Sequence, residues 1–200
     1  MTPAEKELID LIIKQDEGGW VLTASNESDP SGGYTFAGVT ASAWREWRTN
    51  KYPSLPFPET YSAMAHYIAE HFSTIHDEIY AFYYDKYLVP LQRNFSSPLP
   101  NAALYSCSVN CGVEKASDLW QLARKKTKSG LDILPVFCKV WQDHYVDLVV
   151  ANAIRWHDCV VHGAEQPKTF RAPNLQGWLN RVNRYWSSAA EKVAEKVPTS

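Results

Sequence analysis

The chain has 200 residues, 45% of them apolar and 21% charged, which is ordinary for a soluble globular protein and allows a sizeable core. Its 20 basic and 22 acidic residues give a net charge of −2, so the charge balance provides no argument for a nucleic-acid partner. Four cysteines do not make a disulfide framework at this length, and the cysteines and histidines lack the spacing of a zinc site, so we expect free thiols, no metal and no cofactor.

The N-terminal stretch carries the pattern of a capped helix. Thr2 and Glu5 have the spacing of a capping box, Pro3 suits the first helical position, and Gly18-Gly19 ends the apolar spacing. The charges in this stretch leave no uninterrupted apolar run, and no later run reaches the roughly 18 residues of a membrane span. We therefore expect synthesis in the cytoplasm without a signal peptide, and no membrane span.

The stretch from Asp16 to Thr40 differs from the rest of the chain. It places Glu17 where the first helical pattern meets the double glycine, and it continues with a dense cluster of Ser, Asn, Asp, Pro and Gly. No helical period persists between Trp20 and Val39, so residues 20–39 are predicted to form a short irregular or β-hairpin segment. A carboxylate beside polar, glycine-rich turns is typical of the edge of a cleft.

Helical patterns occupy most of the remaining chain. Apolar spacing and caps predict helices near residues 40–48, 59–70, 73–87, 101–109, 113–128, 134–157 and 175–193, with Pro90 stopping the third of them. No repeat, low-complexity tract or linker separates these helices. The sequence predicts one mainly α domain over residues 1–200, with an N-terminal catalytic part to about residue 95 and a helical part from about residue 96.

Glu17 suits one half of the chemistry of glycosidic-bond hydrolysis. That reaction needs a protonated carboxylic acid at the leaving oxygen, and a second polar group that handles water or stabilises the developing positive charge. Burial beside Trp20 would raise the pKa of the Glu17 carboxyl and keep its proton available near neutrality. Asp29 and Thr35 could together hold the water, with Glu27 as a competing carboxylate. The plainer alternative is a solvated Glu17 and a turn-forming Asp29.

Three motifs occur in order along the chain. They are Glu17-Gly18-Gly19-Trp20 followed by Asp29, Gly32-Gly33, Thr35 and Gly38-Val39-Thr40; Tyr83-Tyr84-Asp85-Lys86-Tyr87-Leu88 through Ser108-Val109-Asn110-Cys111-Gly112; and Gly177-Trp178-Leu179-Asn180-Arg181-Val182. Together they resemble the signatures of glycoside hydrolase family 108, which includes phage lysozyme-like endolysins and bacterial proteins labelled secretion activators. Because the three motifs touch most of the chain, their order and spacing are more specific than any one of them.

The resemblance implies a lysozyme-like, mainly α fold. It also implies an N-acetylmuramidase, which cleaves the β-1,4 bond between N-acetylmuramic acid and N-acetylglucosamine in peptidoglycan. The catalytic acid of the family falls on Glu17. The order of Glu, Asp and Thr in phage-type lysozymes assigns the handling of water to Asp29 and Thr35.

Three further residues are predicted to contact the glycan: Trp20, Tyr34 and Asn110. Asn110 has a second interpretation, in which it caps its helix or supports the site from behind. Two other functions stay open. One is a lysozyme-like protein that has lost activity and binds peptidoglycan or a secretion partner, and the other is a helical interaction protein unrelated to glycans. We expect a monomer that reaches the cell wall by release or by non-classical export.

Overall fold

The computed structural model describes residues 1–24, 33–54, 56–94, 102–128, 133–162 and 178–185. The chain divides into two compact units, Met1–Ser106 and Cys107–Ser200. The fold is mainly α-helical with one small antiparallel sheet, as predicted. The organisation as a single domain stays a prediction. Within the described ranges, no helix is both long and apolar enough to cross a membrane.

Helix α1, Pro3–Gln15, begins at the predicted capping box. The Thr2 hydroxyl accepts a hydrogen bond from the Glu5 N–H at 3.3 Å, and the Glu5 carboxylate accepts one from the Thr2 N–H at 2.6 Å. The side chain of Gln92 donates another to Glu5 at 2.8 Å. Burial opposes the charge of Glu5, but these hydrogen bonds hold its pKa below the ordinary value.

The C-terminal end of α1 turns sharply at the double glycine. The N–H of Glu17 donates to the Ile12 carbonyl at 3.2 Å, and the N–H of Gly19 donates to the Ile13 carbonyl at 2.8 Å. Gly18 and Gly19 have φ angles of 81° and 91°, which glycine adopts without a steric penalty. The helix therefore ends where the sequence predicts, and Glu17 lies just beyond its last turn.

A three-stranded antiparallel sheet follows, in the order β1-β2-β3. Its strands are β1 (Leu22–Ala24), β2 (Tyr34–Phe36) and β3 (Val39–Thr40). Leu22 pairs with Phe36, which also pairs with Val39. Ala37 and Gly38 form the two-residue turn between β2 and β3, with φ angles of 49° and 79°. Positive φ at both positions is the type I′ pattern that matches the twist of a hairpin. The predicted β-hairpin within residues 20–39 is thus confirmed.

Helix α2, Ala41–Lys51, begins directly at the end of the sheet. Thr40 is the last residue of β3 and also the N-cap of α2, since its hydroxyl accepts from the Ala43 N–H at 3.3 Å. Trp44 and Trp47 are buried on the same face of the helix, as their spacing predicts.

The next helices agree with the prediction in one respect and differ from it in another. Helix α3, Tyr61–Tyr83, consists of two helical stretches that meet at a kink, where His71 has non-helical angles (φ −125°, ψ 31°). The kink lies between the two predicted helices, 59–70 and 73–87. A π-helical turn, Tyr84–Leu88, and helix α4, Val89–Asn94, follow without a break. The prediction that Pro90 stops the helix is wrong, because Pro90 lies in the first turn of α4. The wider π-helical turn before it relieves the clash that a proline ring makes in a continuous α-helix.

Four further helical segments complete the described chain: α5 (Ala102–Cys111), α6 (Val113–Lys126), α7 (Ile133–His162) and α8 (residues 178–185). Aromatic rings join α6, α7 and α8 inside the second unit. Trp120 packs against Phe137 with ring centroids 5.0 Å apart, and Tyr145 stacks on Trp178 at 5.0 Å. These contacts place the third sequence motif against the middle of α7.

Candidate functional site

Glu17 is the half-buried residue at the junction between α1 and the sheet. Its side chain lies directly on Gly38 of the β2–β3 turn. A Cβ atom built on Gly38 would be 2.5 Å from Oε2 of Glu17 and 2.6 Å from its Cβ and Cγ atoms. Because non-bonded carbon and oxygen atoms do not approach so closely, the turn accommodates this carboxylate only while position 38 is a glycine.

Two buried tyrosines of the first unit hold the Ala37-Gly38 turn in place. Tyr83, the last residue of α3, donates a hydrogen bond from its hydroxyl to the Ala37 carbonyl at 2.8 Å. Tyr105 of α5 donates from its hydroxyl to the Tyr83 carbonyl at 3.2 Å. Both rings are almost completely buried. The residue before Gly38 is therefore tied to α3, and α3 to α5, through groups with little freedom to move.

Tyr87 lies in the π-helical turn, near Glu17. Its ring is 6.0 Å from that of Tyr83, centroid to centroid. Burial raises the pKa of the Tyr87 hydroxyl, and the negative charge of Glu17 raises it further. The phenol is consequently neutral at physiological pH and can donate a hydrogen bond, in the electrostatic field of the carboxylate. π-Helical turns re-aim side chains and are frequent at functional sites.

The residue before Glu17 is also held in place. The Ser106 hydroxyl donates a short hydrogen bond to the Asp16 carboxylate, and Ser106 itself is completely buried. This bond joins the end of α1 to α5 within the first unit. Together with the turn and the two tyrosines, it surrounds Glu17 with groups on regular elements rather than on loose loops, which favours a fixed catalytic geometry.

Thr35 is the central residue of β2, with Thr23 and Thr40 as its partners in the two neighbouring strands. Its neighbours in sequence, Tyr34 and Phe36, are buried, whereas Thr35 is partly exposed on the opposite face of the strand. It comes two residues before the turn on which Glu17 lies. The other two candidates for the second catalytic group, Asp29 and Glu27, lie outside the described residues.

The aromatic residues predicted to contact the glycan both have partners inside the protein. Trp20 is half-buried and stacks on His76, with ring centroids 3.8 Å apart and planes 11° from parallel. Tyr34 is fully buried, and its hydroxyl donates to the Pro58 carbonyl at 2.8 Å. Since no atom of Tyr34 is exposed, its observed role is to hold the segment before α3 against strand β2.

Asn110, the third predicted contact, lies exposed near the end of α5, in the second unit. Gly112 follows with a φ angle of 86° and acts as the N-cap residue of α6. Asn110 thus occupies the last turn of one helix just before another begins, and its contact with the glycan stays a prediction.

Three residues near Glu17 belong to the motifs quoted above but were not predicted as site residues: Gly38, Tyr83 and Tyr87. The spacing of the two tyrosines on a helix predicts only that they face a core. A buried tyrosine normally finds a partner for its hydroxyl, which is the one sequence signal that could have suggested an anchoring role. The contact between Gly38 and Glu17 joins residues from two different elements, so no local pattern predicts it.

No metal site accompanies these groups in the part of the chain that the structure describes. There, no three His, Cys, Asp or Glu side chains cluster as metal ligands would. What the site offers is a carboxyl group on a rigid turn, a neighbouring phenol and a partly exposed hydroxyl on the adjoining strand. Such groups can donate a proton and orient a water molecule.

Comparison with known proteins identifies the family to which the chain belongs. The model of the family described as Glycosyl hydrolase 108 matches residues 11–112, which is just over half of the chain and includes Glu17, the sheet and the π-helical turn. No curated protein and no solved structure matches the chain. The chain belongs to the glycosyl hydrolase 108 family, and this membership makes it a lysozyme-like peptidoglycan hydrolase.

Proposed function

We propose that the protein is an N-acetylmuramidase in which Glu17 is the general acid. In this mechanism Glu17 protonates the oxygen of the β-1,4 bond as it leaves C1 of N-acetylmuramic acid, while positive charge develops on the ring. The observation that carries the proposal is the position of Glu17. Its carboxylate lies at the junction of α1 and the sheet, on a glycine turn that the Tyr83 hydroxyl ties to α3.

The position has the properties that a general acid needs. A proton must be delivered along a fixed direction, so the carboxyl group has to be held by elements that do not move during the reaction. Glu17 follows a thirteen-residue helix and lies on a hairpin turn, and both elements are hydrogen-bonded to their neighbours. Its partial exposure leaves room for a glycosidic oxygen to approach.

The second half of the reaction needs a water molecule or a nucleophile opposite the acid. We assign the water to Asp29 and Thr35, with Glu27 as the alternative carboxylate. The partly exposed hydroxyl of Thr35, on the strand that leads into the turn under Glu17, supports this assignment. The separation of the two carboxylates decides between inversion and retention. NMR spectroscopy of the first product formed, before mutarotation, reads out that choice.

The proposed substrate contacts are Trp20 and Asn110. The Trp20 ring is held by its stack on His76, and a fixed indole ring can support a sugar at little entropic cost. Tyr34, which has no exposed atom, contributes to this proposal only by stabilising β2. We further propose that the protein acts as a monomer on peptidoglycan of the cell wall, which it reaches by release from the cytoplasm or by non-classical export.

Digestion of purified sacculi tests the proposed bond. The products are reduced with borohydride and analysed by mass spectrometry, which identifies the sugar at the new reducing end. We expect muramitol at every new end. Glucosaminitol would instead assign the bond on the other side of N-acetylmuramic acid, and it would overturn the proposed muramidase specificity.

The same preparation distinguishes the alternative of an inactive binding protein. An inactive homologue would sediment with sacculi but release no soluble muropeptides, whereas the proposed enzyme releases them with time. Lack of both sedimentation and release would contradict any role on peptidoglycan.

A further inference from the structure

Three cysteines come together in the second unit, away from the residues assigned to hydrolysis. Cys107 and Cys111 are one helical turn apart on α5, and Cys138 lies on α7. Cys107 and Cys138 have no exposed surface, whereas Cys111 is partly exposed at the end of its helix. Among these three, only Cys111 is therefore open to a reagent from solution.

The sulfur of Cys111 is surrounded by groups that can donate hydrogen bonds. Its distance to the Tyr145 hydroxyl oxygen is 3.6 Å. The Cys107 thiol and the indole N–H of Trp141 are directed at the same sulfur, and the charge of Arg181 on α8 acts on it. Trp141 is completely buried, and its Nε1 atom has no hydrogen bond of normal length in the described structure. A sulfur anion would supply the acceptor that this buried N–H lacks.

The two neighbouring groups, the Cys107 thiol and the Tyr145 hydroxyl, stay protonated when Cys111 ionises. Hydrogen bonding from Cys107, opposed by burial and aided by Tyr145, Trp141 and Arg181, lowers the pKa of the Cys111 thiol to about 7. Burial raises the pKa of Cys107 and of Tyr145. Both therefore stay neutral hydrogen-bond donors while Cys111 ionises.

We propose that Cys111 is a nucleophilic modification site that undergoes thiol–disulfide exchange with low-molecular-weight disulfides such as glutathione disulfide. The thiolate of Cys111 attacks one sulfur of the disulfide, that S–S bond breaks, and a protein–glutathione disulfide forms. The second glutathione leaves as a thiolate and takes a proton from water. This inference does not depend on the proposed hydrolytic mechanism.

The exchange stops at the mixed disulfide. Residues four apart on a helix have Cβ atoms about 5–6 Å apart, whereas a disulfide needs roughly 3.8 Å. A bond between Cys107 and Cys111 would have to unwind the last turn of α5. Cys107 thus acts on Cys111 as a proton donor in the hydrogen bond and not as a second redox partner.

Site-resolved alkylation of the reduced full-length protein tests the proposal. Iodoacetamide is applied from pH 5.5 to 9.5, and the extent of reaction at each cysteine is read by peptide mass spectrometry. We expect a rate midpoint near pH 7 for Cys111, compared with about 8.5 for an ordinary thiol. Near pH 6, Cys111 should hold roughly 30-fold more thiolate than an ordinary cysteine. Incubation with glutathione disulfide should add one glutathione, on Cys111.

Two variants separate the hydrogen-bond donors from general packing. Cys107→Ala and Tyr145→Phe each remove one donor, so the alkylation midpoint of Cys111 should rise by at least half a pH unit. Cys138→Ala is the matched control, because it removes another buried thiol and should leave the midpoint in place. A wild-type midpoint at 8.5 or above would overturn the proposal. So would an equal shift in Cys138→Ala, or a glutathione adduct that forms on Cys111 only in denaturant.

Discussion

At the scale of single residues, the contact between Glu17 and Gly38 is the feature that we expect to affect activity most. The turn that contains Gly38 has positive φ angles at both residues and lies under the carboxylate. A glycine here meets two requirements at once, since it adopts the turn conformation and leaves space for the Glu17 side chain.

We predict that Gly38→Ala displaces Glu17 and lowers muramidase activity by about 100-fold, because shifting a catalytic group by about 1 Å costs a factor of this size. The matched control is Gly112→Ala. Gly112 also has a positive φ angle, 86°, but nothing lies within 4 Å of a Cβ built there, and it does not belong to the turn that follows α1. Both variants should lose roughly 1–2 kcal/mol of stability from the strained φ angle. Only Gly38→Ala should lose most of its activity in a turbidity assay, and equal losses would contradict the role of the contact.

At the scale of single residues, the sequence predicts the position of the proposed catalytic residue better than it predicts which side chains pack around it. The position of Glu17 after the first helix follows from the double glycine, which acts locally. The burial of Tyr34 and the stack of Trp20 on His76 do not follow from the sequence, because they depend on partners 24 and 56 residues away along the chain. An aromatic residue beside a predicted site therefore cannot be assigned to substrate or to core from its own neighbours.

At the scale of elements, a buried ion pair joins α2 to α3. Arg48 and Glu78 are 2% and 8% exposed, and the guanidinium Nε lies 3.2 Å from the carboxylate. Arg48 also donates to the Pro56 carbonyl and to the Tyr67 hydroxyl, both at 2.7 Å. The Trp44 indole donates to Glu78 at 3.3 Å. These hydrogen bonds compensate for part of the desolvation of both charges.

Arg48→Met should therefore be strongly destabilising, because it leaves the Glu78 carboxylate buried without its cation. We expect a loss of about 3–5 kcal/mol, which corresponds to a fall of about 10 °C in the unfolding midpoint. Arg45→Met provides the control, since Arg45 pairs with Glu59 in an exposed ion pair. That pair contributes at most about 1 kcal/mol. Comparable thermal shifts for the two variants, measured by circular dichroism, would be inconsistent with this difference.

The elements show where sequence reasoning succeeds and where it fails. The capping box of α1 and the Thr40 cap of α2 are predictable because all the atoms involved lie within four residues. The π-helical turn and the continuity of the helix through Pro90 do not follow from the local sequence. Local propensity favours a stop at the proline, and tertiary packing overrides it.

At the scale of the whole molecule, two partly buried histidines predict a pH-dependent stability. Burial lowers the pKa of His76 below its ordinary value of 6.5, and burial also lowers the pKa of His144. The unfolded chain then binds more protons than the folded chain, so stability falls as the pH drops through 6.5 towards the folded pKa values. Glu5 acts only at lower pH, because its stabilising charge is lost below its ordinary pKa of 4.5.

We expect the unfolding midpoint to decrease between pH 7 and pH 5, and His76→Phe to reduce the slope. The phenyl ring can keep the stack on Trp20 but cannot bind a proton. Differential scanning calorimetry at matched ionic strength measures the midpoint in the wild type and in the variant. A slope that His76→Phe leaves unchanged would remove His76 from the explanation.

The overall class of the molecule follows from the sequence alone, because helical periodicity covers most of the chain and a single turn-rich stretch interrupts it. The division at Ser106 into two units does not, since it falls inside helix α5 and no change of composition marks it. Domain boundaries are predictable where a linker differs in residue type from the helices beside it, and α5 contains no such signal.

The central claim is that Glu17 donates the proton in the cleavage of peptidoglycan, and one comparison of two variants tests it most directly. Glu17→Gln keeps the shape of the side chain and removes its acidity, and Glu7→Gln makes the same change at an exposed position of α1. Release of muropeptides from sacculi should fall by at least about 100-fold in Glu17→Gln and stay at the wild-type rate in Glu7→Gln, with unfolding midpoints close to wild type in both. A Glu17→Gln variant that is folded and still releases muropeptides at near the wild-type rate would contradict the claim.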